Sequence, residues 1–196
     1  MLPMKEKVII VSGLPRSGTS MMMQMLDNGG LEVLTDKQRR PDKDNPKGYY
    51  EYERVKSLPE DADWLEKAQG KAVKVLGELI KHIPKGYNYK VVFMERNLDE
   101  IIESQTKMLK RQGKNPNDIS KEELRDTFED YRKILKQQIA SHPGMEVIYV
   151  SYNDIMSHPE PVVESISAFF DCELDTNEML SVIDDDLYRN RLEMKD

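Results

Sequence analysis

The sequence has few features that would place it outside ordinary globular proteins. Cys172 is the only cysteine among 196 residues, so no intrachain disulfide can form. A chain of this length buries enough surface to fold without one. A lone cysteine also suits a reducing compartment, and we expect a cytoplasmic protein. No apolar run approaches a membrane span or a signal-peptide core, so the sequence predicts no membrane partner.

Basic residues are outnumbered by acidic ones, and histidines are few. Lys and Arg total 29 against 36 Asp and Glu, which gives a net charge of −7. That balance disfavours nucleic acid as a partner. The three histidines, at positions 82, 142 and 158, are scattered, and the sequence predicts no metal site. An anionic ligand would therefore have to be held by a local group of donors.

Apolar runs that predict strands alternate with periodic segments that predict helices. Strands are predicted at 7–12, 89–95 and 147–150. Predicted helices lie at 18–27, at 98–112 behind the cap Asn97, and from the capping box at Ser120 to Pro143. Two closing helices are predicted at 159–170 and 176–184. The order predicts an α/β fold of three layers, a parallel sheet with helices on both faces.

Residues 35–70 interrupt this alternation. The segment is rich in charge and proline and contains Tyr49, Tyr50, Tyr52 and Trp64. We expect residues 1–196 to form one domain in which 35–70 is an excursion over the carboxyl edge of the sheet. Such a position suits a second substrate, and a plain surface insertion is an equally good interpretation.

Residues 13–20, GLPRSGTS, lie between a predicted strand and a predicted helix. Their spacing matches a nucleotide P-loop, so we expect a P-loop-type sheet with backbone N–H groups around an anion. Thr19 occupies the lysine position of that loop, which argues against ordinary ATP or GTP chemistry. The nearby cation is instead Arg16, whose guanidinium can grip a phosphate or sulfuryl group with two hydrogen bonds.

This loop resembles the 5′-phosphosulfate loop of sulfotransferases that use 3′-phosphoadenosine 5′-phosphosulfate (PAPS). Its PRSGT core looks most like the tyrosylprotein and bacterial branches. The segment FMERNLDEIIESQ is similar to the family's second element, in which an arginine and a serine eight positions later hold the 3′-phosphate. The resemblance implies cofactor contacts by Arg16, Ser17, Gly18, Thr19, Ser20, Arg96 and Ser104.

Two further segments resemble the family less specifically. Tyr152 and Asp154 match a strand end where the tyrosine lies near the nucleotide, although Asp154 fits a helix cap equally well. The tail that contains Arg189 and Arg191 resembles the closing segment of short bacterial members, where two arginines meet the cofactor phosphates. A solvated cluster of charge is an equal alternative for the tail.

The resemblance implies an enzyme that moves a sulfuryl group in line, without a metal, from PAPS to a hydroxyl or amine. The acceptor would be a small molecule or an exposed hydroxyl, and the product 3′-phosphoadenosine 5′-phosphate (PAP). Arg16 and Lys74 match positions that stabilise charge. The histidine that serves as base in cytosolic members is missing, because Leu76 occupies its position.

An acidic residue about twenty positions beyond the loop arginine is the base in the tyrosylprotein branch. Asp36 lies twenty positions after Arg16 and is the first candidate, with Glu51 and Glu53 as rivals. Two other functions stay open. A P-loop kinase or NTPase would use Glu95 to bind Mg²⁺, and a non-catalytic module would bind the nucleotide without turnover. The sequence identifies neither the acceptor nor the oligomeric state.

Overall fold

The computed structural model describes residues 4–36, 38–42, 45–113, 120–170 and 172–188. Within these residues four parallel strands form one sheet with the order β2-β1-β3-β4. The strands are β1 (Lys7–Gly13), β2 (Ala72–Lys74), β3 (Asn88–Glu95) and β4 (Met145–Ser151). The apolar runs predicted β1, β3 and β4. With three residues, β2 is too short for a periodic pattern to predict it.

Six α-helices lie within the described residues, between and after the strands along the chain. They are α1 (Thr19–Asn28), α2 (Leu98–Arg111), α3 (Lys121–Ser141), α4 (Tyr152–Ser157), α5 (Pro159–Phe169) and α6 (Thr176–Leu180). Asn97 caps α2, and Ser120 forms the predicted capping box with Glu123. The helix predicted at 176–184 was too long. It ends at Leu180, because the next N–H groups, of Val182 and Ile183, bond to carbonyls three residues back, in the 3₁₀ manner. The Asp184 side chain then caps a separate 3₁₀ turn, Asp185–Leu187.

The sheet is covered by helices on both faces, as the sequence predicted. Alternate residues of one strand point to opposite faces, so β1 contributes to two apolar clusters. Val8 and Ile10 pack with α2, α3 and the 3₁₀ helix Asp63–Ala68. Ile9 and Val11 pack with α1, α4, α5 and α6. The α/β architecture therefore has three layers.

All four strands end at one edge of the sheet. Val11 of β1 pairs with Lys74, the last residue of β2, and Glu95, the last residue of β3, pairs with Ser151 of β4. Between β2 and β3 the chain crosses from one side of β1 to the other, and such switch points create a crevice beyond the strand ends. The segments after β1, β3 and β4 therefore converge on this edge. Among the helices of the described ranges, none has the length and apolarity that a bilayer crossing requires.

Candidate active site

The loop after β1 presents the N-terminus of α1 to this crevice. Gly18 precedes α1 with a φ of 95°, a left-handed conformation that favours glycine. A Cβ atom there would lie 2.4 Å from Cδ2 of Tyr152, so the tyrosine ring packs directly on the loop. The buried Ser17 hydroxyl donates to the Leu14 carbonyl at 2.7 Å and fixes the turn. Among the described residues no side chain caps α1, so its first N–H groups remain open to an anion.

Arg16 connects this loop to α2. Its backbone has a φ of 70°, which is uncommon outside glycine. Its Nε atom donates to Oγ of the buried Ser104 at 2.9 Å, and its carbonyl accepts from Nη1 of Arg96 at 3.2 Å. The loop and the predicted 3′-phosphate pair are therefore in direct contact.

Arg96 follows β3 and is held on several sides. Its Nε atom donates to Oε2 of Glu100 at 2.8 Å, and both side chains are buried, with exposed fractions of 8% and 2%. Its guanidinium lies 4.3 Å from the ring centroid of Tyr152 and 5.5 Å from that of Tyr188. Stacking and hydrogen bonding together fix the plane of the guanidinium.

Glu100 is a component of the site that the sequence reasoning missed. Its Oε1 atom accepts from Nδ2 of Asn153 at 3.1 Å and from the Tyr188 hydroxyl at 2.8 Å. Burial, and then the hydrogen bond to Glu100, raise the pKa of Tyr188. The sequence signal was a carboxylate four positions after Arg96, the spacing at which helical side chains meet.

Lys74 lies on the other side of the α1 N-terminus. Its side chain is 3% exposed, and its Nζ atom donates to Oγ of Ser20 at 3.0 Å and to the carbonyl of Tyr49 at 2.7 Å. Burial lowers the pKa of its ammonium to about 8, and Glu51, at 3.9 Å, opposes that shift. The Lys74 ammonium is therefore already positioned beside the loop, where it could bind an anion.

The three candidate bases have different surroundings. The carboxylate of Asp36 accepts from the backbone N–H of Gln38 at 3.0 Å and from that of Glu53 at 2.6 Å. Glu53 is half exposed and pairs with Lys56. Glu51 pairs with Arg39 at 2.8 Å and, of the three, is the one placed on the wall of the cavity described next.

A cavity of about 420 Å³ joins these groups. Arg16, Gly18, Thr19, Ser20, Lys74, Arg96, Ser104 and Tyr152 all line it. The buried Ser17 supports the loop from behind. Among the described residues of the wall, cationic side chains outnumber anionic ones. Arg39, Lys47, Lys107 and Arg111 join the cations named above, and the acids are Glu51 and Asp184. The site is thus locally positive in a chain of net charge −7.

A second cavity, of about 440 Å³, shares four lining residues with the first: Arg39, Glu51, Lys74 and Leu76. The rest of its wall is mostly apolar and comes from Tyr52, Val55 and Leu79, with Lys56. All but Lys74, Leu76 and Leu79 belong to the excursion 35–70. The two cavities therefore meet at Glu51 and Lys74.

Other predicted residues are either outside the described part of the chain or placed away from this site. Arg189 and Arg191 lie outside the described residues. Glu95, the candidate Mg²⁺ ligand of a kinase, pairs instead with Lys136 at 2.7 Å. In the described part of the chain, no three His, Cys, Asp or Glu side chains come together as a metal site would require. Asp154 lies in the first turn of α4 and donates its N–H to the Ser151 cap.

A protein-family model matches the part of the chain that contains most of these site residues. The model of the sulfotransferase family matches residues 42–176, about two thirds of the chain. The matched range includes Lys74, Arg96, Ser104 and Tyr152 and starts after the loop. The chain belongs to the sulfotransferase family. No curated protein sequence matches it significantly, and the branch suggested by PRSGT stays a prediction.

One solved sulfotransferase domain shares the fold of this family member. The sulfotransferase domain of the Synechococcus PCC 7002 olefin synthase has a TM-score of 0.53 and 12% identity, over 98% of this chain and 82% of that chain. The domain of the curacin biosynthetic pathway has a TM-score of 0.46 and 13% identity, over 93% and 78%. A mouse sulfotransferase, SULT7A1, complexed with PAP, has a TM-score of 0.46 and 15% identity, over 90% and 62%. At these identities the first likeness supports the fold alone.

Proposed function

We propose that this sulfotransferase transfers a sulfuryl group from PAPS to a hydroxyl or amine acceptor and releases PAP. One observation carries the proposal. The loop residue Arg16 and the pair Arg96 and Ser104 line one cavity and are joined by hydrogen bonds of 2.9 and 3.2 Å. A nucleotide with phosphates at both its 5′ and 3′ positions requires anion-binding groups at two places in one site.

The residues present fit such a donor. The uncapped N-terminus of α1, with Gly18, Thr19 and Ser20, would receive the 5′-phosphosulfate side. Arg96 and Ser104 would hold the 3′-phosphate, where a charged fork and a hydroxyl distinguish it from a bare ribose hydroxyl. Tyr152 packs between Gly18 of the loop and Arg96, and it would hold the two phosphate-binding parts at a fixed distance. Bound PAPS would supply the activated sulfuryl group.

Arg16 and Lys74 would stabilise the charge that develops on the leaving side. Lys74 is buried and points at Ser20, where a fixed cation acts through a low local dielectric. These cations supply positive charge to the site, and we propose that the transfer needs no metal. The Tyr49 carbonyl now accepts the Lys74 hydrogen bond and would have to release it to an anionic ligand.

Glu51 is the base that we propose. Glu51 lines both the first cavity, where the donor would bind, and the second cavity, and it lies 3.9 Å from Lys74. A base must reach the acceptor proton, so position comes before basicity. Asp36, the first candidate from the sequence, has its carboxylate engaged by two backbone N–H groups and is better explained as a brace for the excursion.

The second cavity is the proposed acceptor side, which gives the excursion 35–70 its role. Tyr52, Val55 and Leu79 offer an apolar wall beside Glu51, which suits the body of an apolar alcohol, phenol or amine. Trp64 is the only tryptophan, and its ring packs edge-on against Tyr52 with centroids 5.8 Å apart. Its fluorescence should therefore report acceptor binding.

The experiment is sulfuryl transfer from ³⁵S-labelled PAPS to pooled hydroxyl and amine acceptors, with and without EDTA. The proposal predicts labelled acceptor and one PAP per transfer, at a rate that EDTA leaves unchanged. Binding of PAP without transfer to any acceptor would favour the non-catalytic module. Turnover of ATP with Mg²⁺, and none of PAPS, would overturn the proposal.

A further inference from the structure

Glu100 is a buried acid at the centre of a network that joins three parts of the chain. Its carboxylate accepts hydrogen bonds from Arg96 after β3, from Asn153 in α4 and from Tyr188 near the end of the described chain. A carboxylate with 2% exposure is costly to bury unless its charge is paired and its oxygens are hydrogen-bonded. Here both conditions are met.

The network determines which N–H donors of Arg96 are available to a ligand. The Arg96 Nε atom is committed to Glu100, and Nη1 donates to the Arg16 carbonyl. The ring of Tyr152 covers one face of the guanidinium at 4.3 Å. With those positions occupied, only the remaining donors of Arg96 can serve a ligand in the cavity that it lines. An arginine with a fixed plane and a defined free edge recognises one anion geometry better than a mobile one.

We propose that Glu100 is a positioning residue that gives the donor site its selectivity for a 3′-phosphate. It touches no part of the ligand and acts through Arg96. This inference rests on the proposed function. The second carboxylate oxygen of Glu100, Oε1, accepts hydrogen bonds from Tyr188 and Asn153, so the segment after α6 helps to hold Arg96 in place.

A purely structural ion pair makes a different prediction. If Glu100 only stabilises the fold, its loss lowers the affinity for every nucleotide to the same degree. If it positions Arg96, its loss weakens ligands that carry a 3′-phosphate and leaves those without it nearly unchanged. PAP and AMP differ only in that group, so the ratio of their dissociation constants separates the two roles.

The experiment is calorimetric titration of the full chain with PAP and with AMP, for the wild type and Glu100→Gln. We expect Glu100→Gln to raise the dissociation constant of PAP by about tenfold or more, the range of a charge-assisted hydrogen bond. The dissociation constant of AMP should change by less than about threefold. The control is Asp99→Asn, one position earlier on α2, where the acid pairs with Arg125 and Lys121 outside the site. This control should keep the wild-type ratio.

Two milder variants keep the test decisive where Glu100→Gln does not fold. Tyr188→Phe removes one donor to Glu100, and Glu100→Asp retracts the carboxylate, and each should reduce the PAP-to-AMP preference. An unchanged ratio in all variants that fold, or an equal loss of both ligands, overturns the inference. A wild type that does not prefer PAP to AMP overturns the proposed donor instead, so the two failures are distinguishable.

Discussion

The Nε atom of Arg16 donates a 2.9 Å hydrogen bond to Oγ of Ser104 across 88 residues of sequence. This contact joins the turn that opens α1 to the second turn of α2. It places the two elements that a doubly phosphorylated nucleotide needs side by side before any ligand is bound. Much of the ordering cost of the donor site is thereby met by folding rather than by binding.

Ser104→Ala should weaken PAP binding, because the 3′-phosphate loses a hydroxyl donor and Arg16 loses the hydrogen bond from its Nε atom to Ser104. Hydrogen bonds to charged groups contribute roughly 1.5–3 kcal/mol, so a loss of about tenfold or more is expected. Titration calorimetry measures it. The control is Ser165→Ala in α5, where the hydroxyl donates only to the Val162 carbonyl. Equal affinity of Ser104→Ala and the wild type would remove Ser104 from the site.

Gly18→Ala and Gly30→Ala form a matched pair. Both glycines have left-handed φ values, 95° and 96°, so alanine strains the backbone of each by about 1–2 kcal/mol. Only at Gly18 does the added methyl meet Tyr152, at 2.4 Å, whereas nothing lies within 4 Å of it at Gly30. Urea unfolding should show the larger loss for Gly18→Ala, by about 1–3 kcal/mol from overpacking. PAP binding should fail in that variant alone, and similar behaviour of the two would contradict the packing of Tyr152 on the loop.

Lys74 should make stability depend on pH above neutrality. Burial lowers the pKa of its ammonium to about 8 in the folded chain, while the unfolded value is about 10.4. Below pH 8 the group is charged in both states, so folding bears the full cost of burying the charge. Above about pH 10.4 it is neutral in both states, and that cost is gone.

The wild type should therefore gain stability relative to Lys74→Met as the pH rises from about 8 to about 10, by at most about 3 kcal/mol. Urea titrations of both proteins across that range measure the difference. PAP should reduce this dependence, because a bound anion favours the ammonium and raises its pKa. A constant difference across the range would show that Lys74 has an ordinary pKa.

Glu51→Gln and Asp36→Asn should separate chemistry from structure. Removal of a general base costs about 10²–10⁴-fold in rate, so Glu51→Gln should lower the transfer rate by that range with PAP affinity nearly intact. Asp36→Asn should mainly lower the free energy of unfolding, by about 1–2 kcal/mol, since its carboxylate braces two N–H groups. Rates and urea midpoints check both variants. A larger rate loss in Asp36→Asn would restore Asp36 as the base.

Local signals predicted the parts of this molecule that short segments determine. Asn97 and Ser120 cap helices because capping depends on residues two or three positions away. Arg16, Arg96 and Tyr152 meet because each follows a strand of one parallel sheet, and such strands end at the same edge. The sulfotransferase resemblance named these residues, and the topology explains why they come together.

The remainder depended on long-range contacts. Glu100 is buried because Tyr188, 88 residues later, closes over it. The spacing of twenty residues from Arg16 to Asp36 could not show that the Asp36 carboxylate accepts a hydrogen bond from the Glu53 N–H and so holds the excursion in place. Nor does any pattern reveal that the Tyr49 carbonyl meets Lys74, 25 residues away. In each case the partner is set by the path of an irregular segment.

Calorimetric titration of the wild type with PAP, AMP and ATP plus Mg²⁺ tests the central claim most directly. The account predicts that PAP binds about 100-fold tighter than AMP, a coupling of roughly 3 kcal/mol for the 3′-phosphate, and tighter than ATP with Mg²⁺. Equal affinities for PAP and AMP, or tighter binding of ATP with Mg²⁺, would contradict a site built from Arg16, Arg96 and Ser104 for a 3′-phosphorylated donor.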